Sequence, residues 1–139
     1  MRKIIVALCI LGLLASSAIA ITEPSNNIEE EVIEFKNWFG VIYNNQKQII
    51  TFSYTDQATI YIKMDSNQNL IMEIFTGVSV EPISIKNIWI DDNETPITID
   101  YKITQHFVKG RMARIELADS NIHKFSLYGF TRAYRWLAR

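Results

Sequence analysis

Residues 58–75 read "ATIYIKMDSNQNLIMEIF". Ala58, Ile60, Ile62 and Met64 alternate with Thr59, Tyr61 and Lys63, and after five polar residues Leu70, Met72 and Ile74 resume the alternation. A period of two places every second side chain on one side of an extended chain, so each run predicts a half-buried strand. Two such runs about a short polar loop predict an antiparallel hairpin.

The pattern spreads in both directions. Upstream, "EFKNWFGVIY" (34–43) predicts an aromatic strand bearing Phe35, Trp38, Phe39 and Tyr43. Asn44 and Asn45 supply turn chemistry, and "QIITFSY" (48–54) follows as another strand. Downstream, "IKNIWI" (85–90) leads through Asp91, Asp92, Asn93 and Glu94 into "ITIDYKI" (97–103), a predicted strand with Ile97, Ile99, Tyr101 and Ile103 on one face. Lys109-Gly110 predicts a tight reversal into "RMARIELA" (111–118), with Ala113, Ile115 and Leu117 inward, before "DSNIHKF" (119–125) brings the chain back. Seven or eight such runs, with no strand–helix alternation, predict an all-β fold: an antiparallel β-sandwich or barrel.

The closing "SLYGFTRAYRWLAR" (126–139) changes character. Leu127, Phe130, Tyr134 and Leu137 recur at spacings of three, four and three, the mark of a short helix with Ser126 as its N-cap. Arg132, Arg135 and Arg139 suit a solvated face near a helix C-terminus. The expectation is a plug packed on the sheets, with Phe130 deepest.

The chain begins "MRKIIVALCILGLLASSAIA": two basic residues, an apolar run from Ile4 to Leu14, then Ala18-Ile19-Ala20. That layout predicts a signal peptide over 1–20, cleaved after Ala20. Its apolar run is shorter than the roughly 20 residues of a spanning helix, so no transmembrane segment is expected after cleavage. Residues 21–31, "ITEPSNNIEEE", predict a flexible acidic lead-in, and 32–139 a single β-rich domain. Removing 20 of the 139 residues leaves 119, with 12 basic and 15 acidic side chains and a formal charge of −3. Such a balance gives no reason to expect a nucleic-acid partner. Cys9 is the only cysteine and leaves with the signal, so the exported domain is expected to be disulfide-free, without a thiolate nucleophile or sulfur ligand.

Motifs for chemistry are missing from the sequence. His106 and His123 fall in separate β-rich runs with no neighbour at metal-ligand spacing, and Asp91 to Glu94 lack the pattern of a calcium loop and read as a turn. No G-x-S-x-G elbow, P-loop or H-E-x-x-H occurs. The expectation is no enzyme, metal or cofactor, and an interaction role carried by exposed aromatics such as Trp89, Trp136 and Tyr61, although Trp89 reads more readily as core. Two alternatives stand beside it. One is a small periplasmic enzyme or enzyme inhibitor whose site forms only in the fold, which calls for a deep polar pocket holding a perturbed group. The other is a structural role in the envelope, which calls for a large self-interface.

Several stretches resemble the invasion-associated locus B family of exported bacterial proteins. In "FSLYGFTRAYRWL" (125–137), Ser126, Leu127, Gly129, Phe130, Thr131 and Ala133 match the family's terminal pattern, in which a strand ends in Ser-Leu and Gly-Phe-Thr opens a helix. "IWIDDNETPITIDYKI" (88–103) is similar to its apolar strand ending in Asp, followed by a strand centred on Tyr. "KGRMARIEL" (109–117) is similar to its Gly-Cys-x-Ala turn, with Gly110 and Ala113 in place, and "EFKNW", with Trp38, resembles its entry strand. The chain departs where the family carries a cysteine pair: Arg111 stands after the turn glycine, and the partner position falls near Thr104. Packing must then supply the roughly 2–5 kcal/mol that such a bridge contributes in a small secreted domain. The resemblance implies an exported all-β domain of a Gram-negative bacterium, at the periplasm or cell surface. It also implies a virulence link to host-cell invasion, a protein or an envelope or host component as partner, and no established catalytic mechanism. It carries over no catalytic residue; Trp38, Gly110, Ala113, Leu127, Gly129, Phe130, Tyr134 and Leu137 are expected to be structural.

Overall fold

A computed structural model describes residues 31–77 and 79–139. The expected signal peptide, and the lead-in up to residue 30, lie outside the described residues. The first five strands run as an antiparallel meander in chain order: β1 (Glu31–Phe35), β2 (Trp38–Tyr43), β3 (Gln46–Phe52), β4 (Ala58–Met64) and β5 (Leu70–Thr76). A second antiparallel sheet holds β6 (Ile85–Ile90), β7 (Met112–Leu117) and β8 (Ile122–Ser126). Helix α1 (Ile103–Lys109) lies between β6 and β7, and α2 (Phe130–Leu137) follows β8. The all-β sandwich with a short C-terminal helix is the architecture found.

Local chemistry explains the turns. Asn44 and Asn45 both take positive φ (49° and 61°) between the paired residues Tyr43 and Gln46, the conformation that matches a two-residue hairpin to strand twist. In the β4–β5 loop the Asp65 carboxylate accepts the backbone N–H groups of Asn67 and Asn69, each at 2.8 Å, and the Asn69 side-chain amide at 3.1 Å. Side-chain acceptors of this kind stand in for backbone partners in a tight loop. The long aromatic strand expected over 34–43 is instead two strands: Phe35 pairs with Trp38, and Lys36 at φ 65° turns the chain between them.

Register sorts the two faces of the five-stranded sheet. Ile49 pairs with Ile62, Ile60 with Ile74, and Ile62 with Met72. These positions, with Trp38 and Ala58, point toward Ile88, Ile90, Ala113, Ile115, Leu117 and Phe125 of the other sheet, forming one core. The inward positions expected for 58–75 and for 113–117 are the ones observed. Burial of each large apolar side chain contributes about 1.5–3 kcal/mol. The sheets also meet through the chain itself, by a bridge between Ser53 and Phe125 and a Tyr54 N–H donated to the Lys124 carbonyl at 2.9 Å.

The strand expected over 97–103 does not form. Ile97 alone bridges Ile88, its N–H donating to the Ile88 carbonyl at 2.7 Å. Asp100 then turns the chain, its carboxylate accepting the Lys102 N–H at 2.8 Å, and α1 begins at Ile103. The buried residues of α1 are Ile103 and Phe107, one helical turn apart, while Ile99 and Tyr101 stay exposed. His106 consequently sits on a helix, not in a strand. The expected Ser126 cap is also displaced: Ser126 ends β8, and α2 starts at Phe130 after Gly129, which takes φ 97° as its N-cap.

Helix α2 plugs the fold as the sequence predicts. Phe130, Ala133 and Leu137 are buried on one of its faces and Tyr134 is half-buried, whereas Arg132, Arg135 and Arg139 are exposed. Phe130 meets Trp38 and Phe107 edge-on at ring-centroid distances of 5.1 and 5.3 Å, and stacks with Tyr134 at 5.8 Å.

Candidate functional site: the outer face of the five-stranded sheet

In a two-layer sandwich the outward strand positions face water and are ordinarily polar. On the five-stranded sheet many of them are apolar. The outward cross-strand row runs Glu34–Phe39–Ile50–Tyr61–Glu73, one residue from each strand in order. The row on one side holds Val32, Val41, Gln48, Lys63 and Ile71; the row on the other holds Phe52, Thr59 and Phe75.

Val41 and Ile50 are only 2% and 1% exposed although they point away from the core, with Phe52 and Tyr61 packed against them. Phe39 meets Phe52 at 6.2 Å, and Tyr61 meets Phe75 at 5.3 Å, both edge-on. The four aromatic rings remain half-exposed, and Val32 is exposed at the sheet edge. The result is a second, smaller apolar cluster built on the outside of the sheet. Charges bound it: Glu34 and Glu73 end the central row, and Lys63 Nζ lies 3.7 Å from the Glu73 carboxylate. Contiguous exposed apolar surface with a polar rim is what binding faces look like.

The three aromatics expected at an interface separate in the structure. Tyr61 lies in this cluster. Trp136 packs beside Phe35 at 5.9 Å with Lys47 over its ring at 5.0 Å, on the inward side where α2 meets β1 and β2. Trp89, read as core, is instead half-buried on the outside of the three-stranded sheet, because Ile88 and Ile90 take the inward positions on either side of it. Its ring lies 5.7 Å from the Arg114 guanidinium, and its Nε1–H donates to the Glu94 carbonyl at 3.2 Å. Sequence reasoning missed Phe39, Val41, Ile50, Phe52 and Phe75. The available signal was that β2 and β3 are apolar at consecutive positions, the pattern of a strand covered on both faces.

The remaining singled-out residues sit in packing roles. Trp38, Ala113 and Phe130 are fully buried, and Leu127 and Leu137 nearly so. Gly110 does not need a left-handed turn; its φ is −85°. A Cβ there would come within 2.5 Å of Ile90 Cγ2, so close packing is what requires the glycine. Gly129 needs both its positive φ and its missing side chain, since a Cβ would overlap the Phe35 carbonyl oxygen.

A cleft of about 440 Å³ opens between the sheets, lined by Asp56, Gln57, Thr76, Gly77, Asp119, Asn121 and His123. The Asn121 backbone N–H, and after it the Asn121 side-chain amide, hold the Asp119 carboxyl below its ordinary value. A carboxylate stabilised in its ionised form is a poor proton donor near neutral pH. The nearby Ser53 hydroxyl accepts the N–H groups of Gln57 and Ala58 at 3.1 Å each, a backbone-capping arrangement. Among the described residues no group of three His, Cys, Asp or Glu side chains stands close enough to hold a metal ion, and no helix is long and apolar enough to cross a membrane. Comparison of the chain with protein-family models, with curated proteins and with solved structures finds no match.

Proposed function

We propose that the chain is an exported, non-catalytic binding protein that holds a macromolecular partner on the outer face of its five-stranded sheet. The observation that carries the reading is the burial of Val41 and Ile50 beneath Phe52 and Tyr61 on the side of the sheet turned away from the core. An outward cluster of this kind does nothing for packing between the sheets, and aromatic anchors on a polar-rimmed apolar floor are the usual source of interface affinity. The reading agrees with what the resemblance to the invasion-associated locus B family implies, including action at the periplasm or cell surface and a part in host-cell invasion. Export itself is checked by the intact mass of the protein outside the cytoplasm, which should lack residues 1–20.

The binding face is tested with a photo-crosslinking benzophenone side chain placed at position 75 or, as a control, at exposed position 108 on α1, in cells that produce the protein. Discrete adducts should form from position 75, should be absent from position 108, and should be lost when Tyr61→Ser is added. A benzophenone at position 75 that yields no adduct, or adducts indifferent to Tyr61→Ser, removes the face as a binding surface.

A further inference from the structure

We propose that the exposed side of α2 is a docking surface for an anionic phospholipid membrane. The inference stands apart from the aromatic face and concerns the opposite side of the same sheet. Helix α2 has two sharply different sides. Phe130, Ala133 and Leu137 are buried, and Trp136 packs so closely on β2 that a Cβ at Gly40 would come within 2.8 Å of its ring. That side fixes the helix to the fold. Arg132, Arg135 and Arg139 are exposed on the other, three and four residues apart. Residues at such spacing are neighbours on one helix face, and Ala138 keeps helical dihedrals (φ −80°, ψ −7°) that carry the face on to Arg139. The three guanidinium groups form a single row.

Lysines mark both ends of the row. At the N-terminal end the β1–β2 turn brings Lys36 against Gly129, with its Nζ 5.6 Å from the centre of the Tyr128 ring. At the C-terminal end Lys47 donates to the Trp136 carbonyl at 3.3 Å. Among the described residues none of these five cations is ion-paired. Strand β1, beside the helix, carries two carboxylates. Glu34 belongs to the outward row on the far side of the sheet, and Glu31 shares the row of Lys47 but two strands away. Like charges three and four residues apart on a helix repel, so an anionic surface laid over the row relieves a repulsion that no neighbouring carboxylate in the fold neutralises.

Two features favour a bilayer over an acidic polypeptide. The row runs along the outside of a helix, which suits a broad anionic plane better than a single extended chain. Tyr128, which is 63% exposed, and the half-buried Trp136 flank it, and such rings settle at the headgroup level of a membrane. The apolar side of α2 is taken up by the core, so the attraction rests on charge and involves no insertion of the helix. The domain as a whole carries a formal charge of −3, so an anionic surface turns this side toward itself and repels the rest. The aromatic cluster lies across the sheet from α2, and a docked molecule therefore presents that cluster to the aqueous phase. Each Lys or Arg close to such a surface raises affinity about fivefold.

Co-sedimentation of the exported protein with vesicles is the test. Phosphatidylcholine vesicles containing about one-third phosphatidylglycerol should bind it at about 20 mM salt and release it near 0.5 M, where screening reaches within a few ångströms. Vesicles of phosphatidylcholine alone should not bind it. Variants are compared at about 0.1 M salt, where exposed charges farther apart than roughly 10 Å are largely screened. Arg132→Gln with Arg135→Gln should weaken binding about 25-fold, the product of two fivefold losses, and Arg132→Lys with Arg135→Lys should restore it. Lys86→Gln with Lys124→Gln removes the same charge from exposed positions on the three-stranded sheet and should leave binding within about twofold of wild type. Thermal midpoints of the free variants should match wild type, as is usual for exposed positions. A wild-type protein that ignores the anionic vesicles, or equal losses from the two glutamine pairs, overturns the proposal. So does retention on immobilised polyglutamate that depends on Arg132 and Arg135 without vesicle binding, which assigns the row to an acidic protein instead.

Discussion

The indole Nε1–H of Trp38 donates to the carbonyl oxygen of Ser126 at 3.0 Å, tying together residues 88 positions apart. Trp38 opens β2 and Ser126 closes β8, so one bond pins the first hairpin to the junction where the last strand gives way to α2. Neighbouring bonds reinforce the seam: the Asn37 side-chain amide donates to the Ser126 hydroxyl at 2.7 Å, and the Thr51 hydroxyl donates to the Asn37 carbonyl at 2.7 Å. Trp38→Phe keeps an aromatic ring but orphans a buried carbonyl, which costs about 1–3 kcal/mol. Urea denaturation should show that loss with an unchanged m-value, and a neutral outcome would mean that the seam is dispensable.

Two glycines with positive φ separate backbone strain from steric overlap. Gly77, at φ 54°, has nothing within 4 Å of where a Cβ would sit. Gly77→Ala should therefore cost only the left-handed penalty of about 1–2 kcal/mol. Gly129, at φ 97°, faces the Phe35 carbonyl directly, so Gly129→Ala must also push the β1–β2 turn away from the helix junction. Its cost should exceed about 3 kcal/mol, in the range reserved for a named structural fault. Equal midpoints for the two variants in thermal unfolding would sink the distinction.

The parts of this fold legible in sequence were those in which a run served one face only. In 58–64 Thr59, Tyr61 and Lys63 separate the inward Ala58, Ile60, Ile62 and Met64, and the hairpin and its inward positions are the ones this alternation predicts. The stretch "ITIDYKI" alternates just as well, yet Ile103 belongs to the next element, where Phe107 four residues later supplies a helical face that a two-residue period hides. Trp89 differs for another reason: its size suggests core, although the alternation of Ile88 and Ile90 about it assigns it outward. The aromatic face was illegible because its members come from four strands. Only their register, set by turns at Lys36 and Asn44-Asn45 and by the loop at Asp65, brings Phe39, Phe52, Tyr61 and Phe75 together.

Asp65 gives the fold a pH-dependent element. The Asn69 backbone N–H first, and then the Asn69 side-chain amide, hold its carboxyl below the ordinary value. A group whose folded pKa is depressed stabilises above its unfolded pKa, and that contribution disappears as pH falls through the folded value. Asp65→Ala should thus be less stable than wild type at pH 7, with the gap narrowing below about pH 4, where an unperturbed carboxyl takes up its proton. Urea midpoints for both proteins at neutral pH and in this acid range decide it; a gap independent of pH would show that the loop draws nothing from the ionised carboxylate.

The C-terminal plug makes the sharpest prediction, since its two faces differ so completely. Phe130 is fully buried and touches Trp38, Phe107 and Tyr134, so it links the first hairpin, α1 and α2 in one aromatic cluster. Truncation to alanine removes those contacts and leaves a cavity where the surrounding rings are held by their own strands and helices and can collapse only partly. The expected cost is about 3–5 kcal/mol. Arg135 sits on the same helix one face away and is exposed; Arg135→Ala should change stability by no more than about 0.5 kcal/mol. Total stability for a domain of this size is commonly only about 5–15 kcal/mol, so Phe130→Ala should populate unfolded chains under conditions where Arg135→Ala does not. Chemical denaturation of both variants, read by tryptophan fluorescence and by far-UV circular dichroism, measures the difference. If Phe130→Ala proves as mild as Arg135→Ala, α2 is not part of the core, and an amphipathic tail that docks elsewhere becomes the better description.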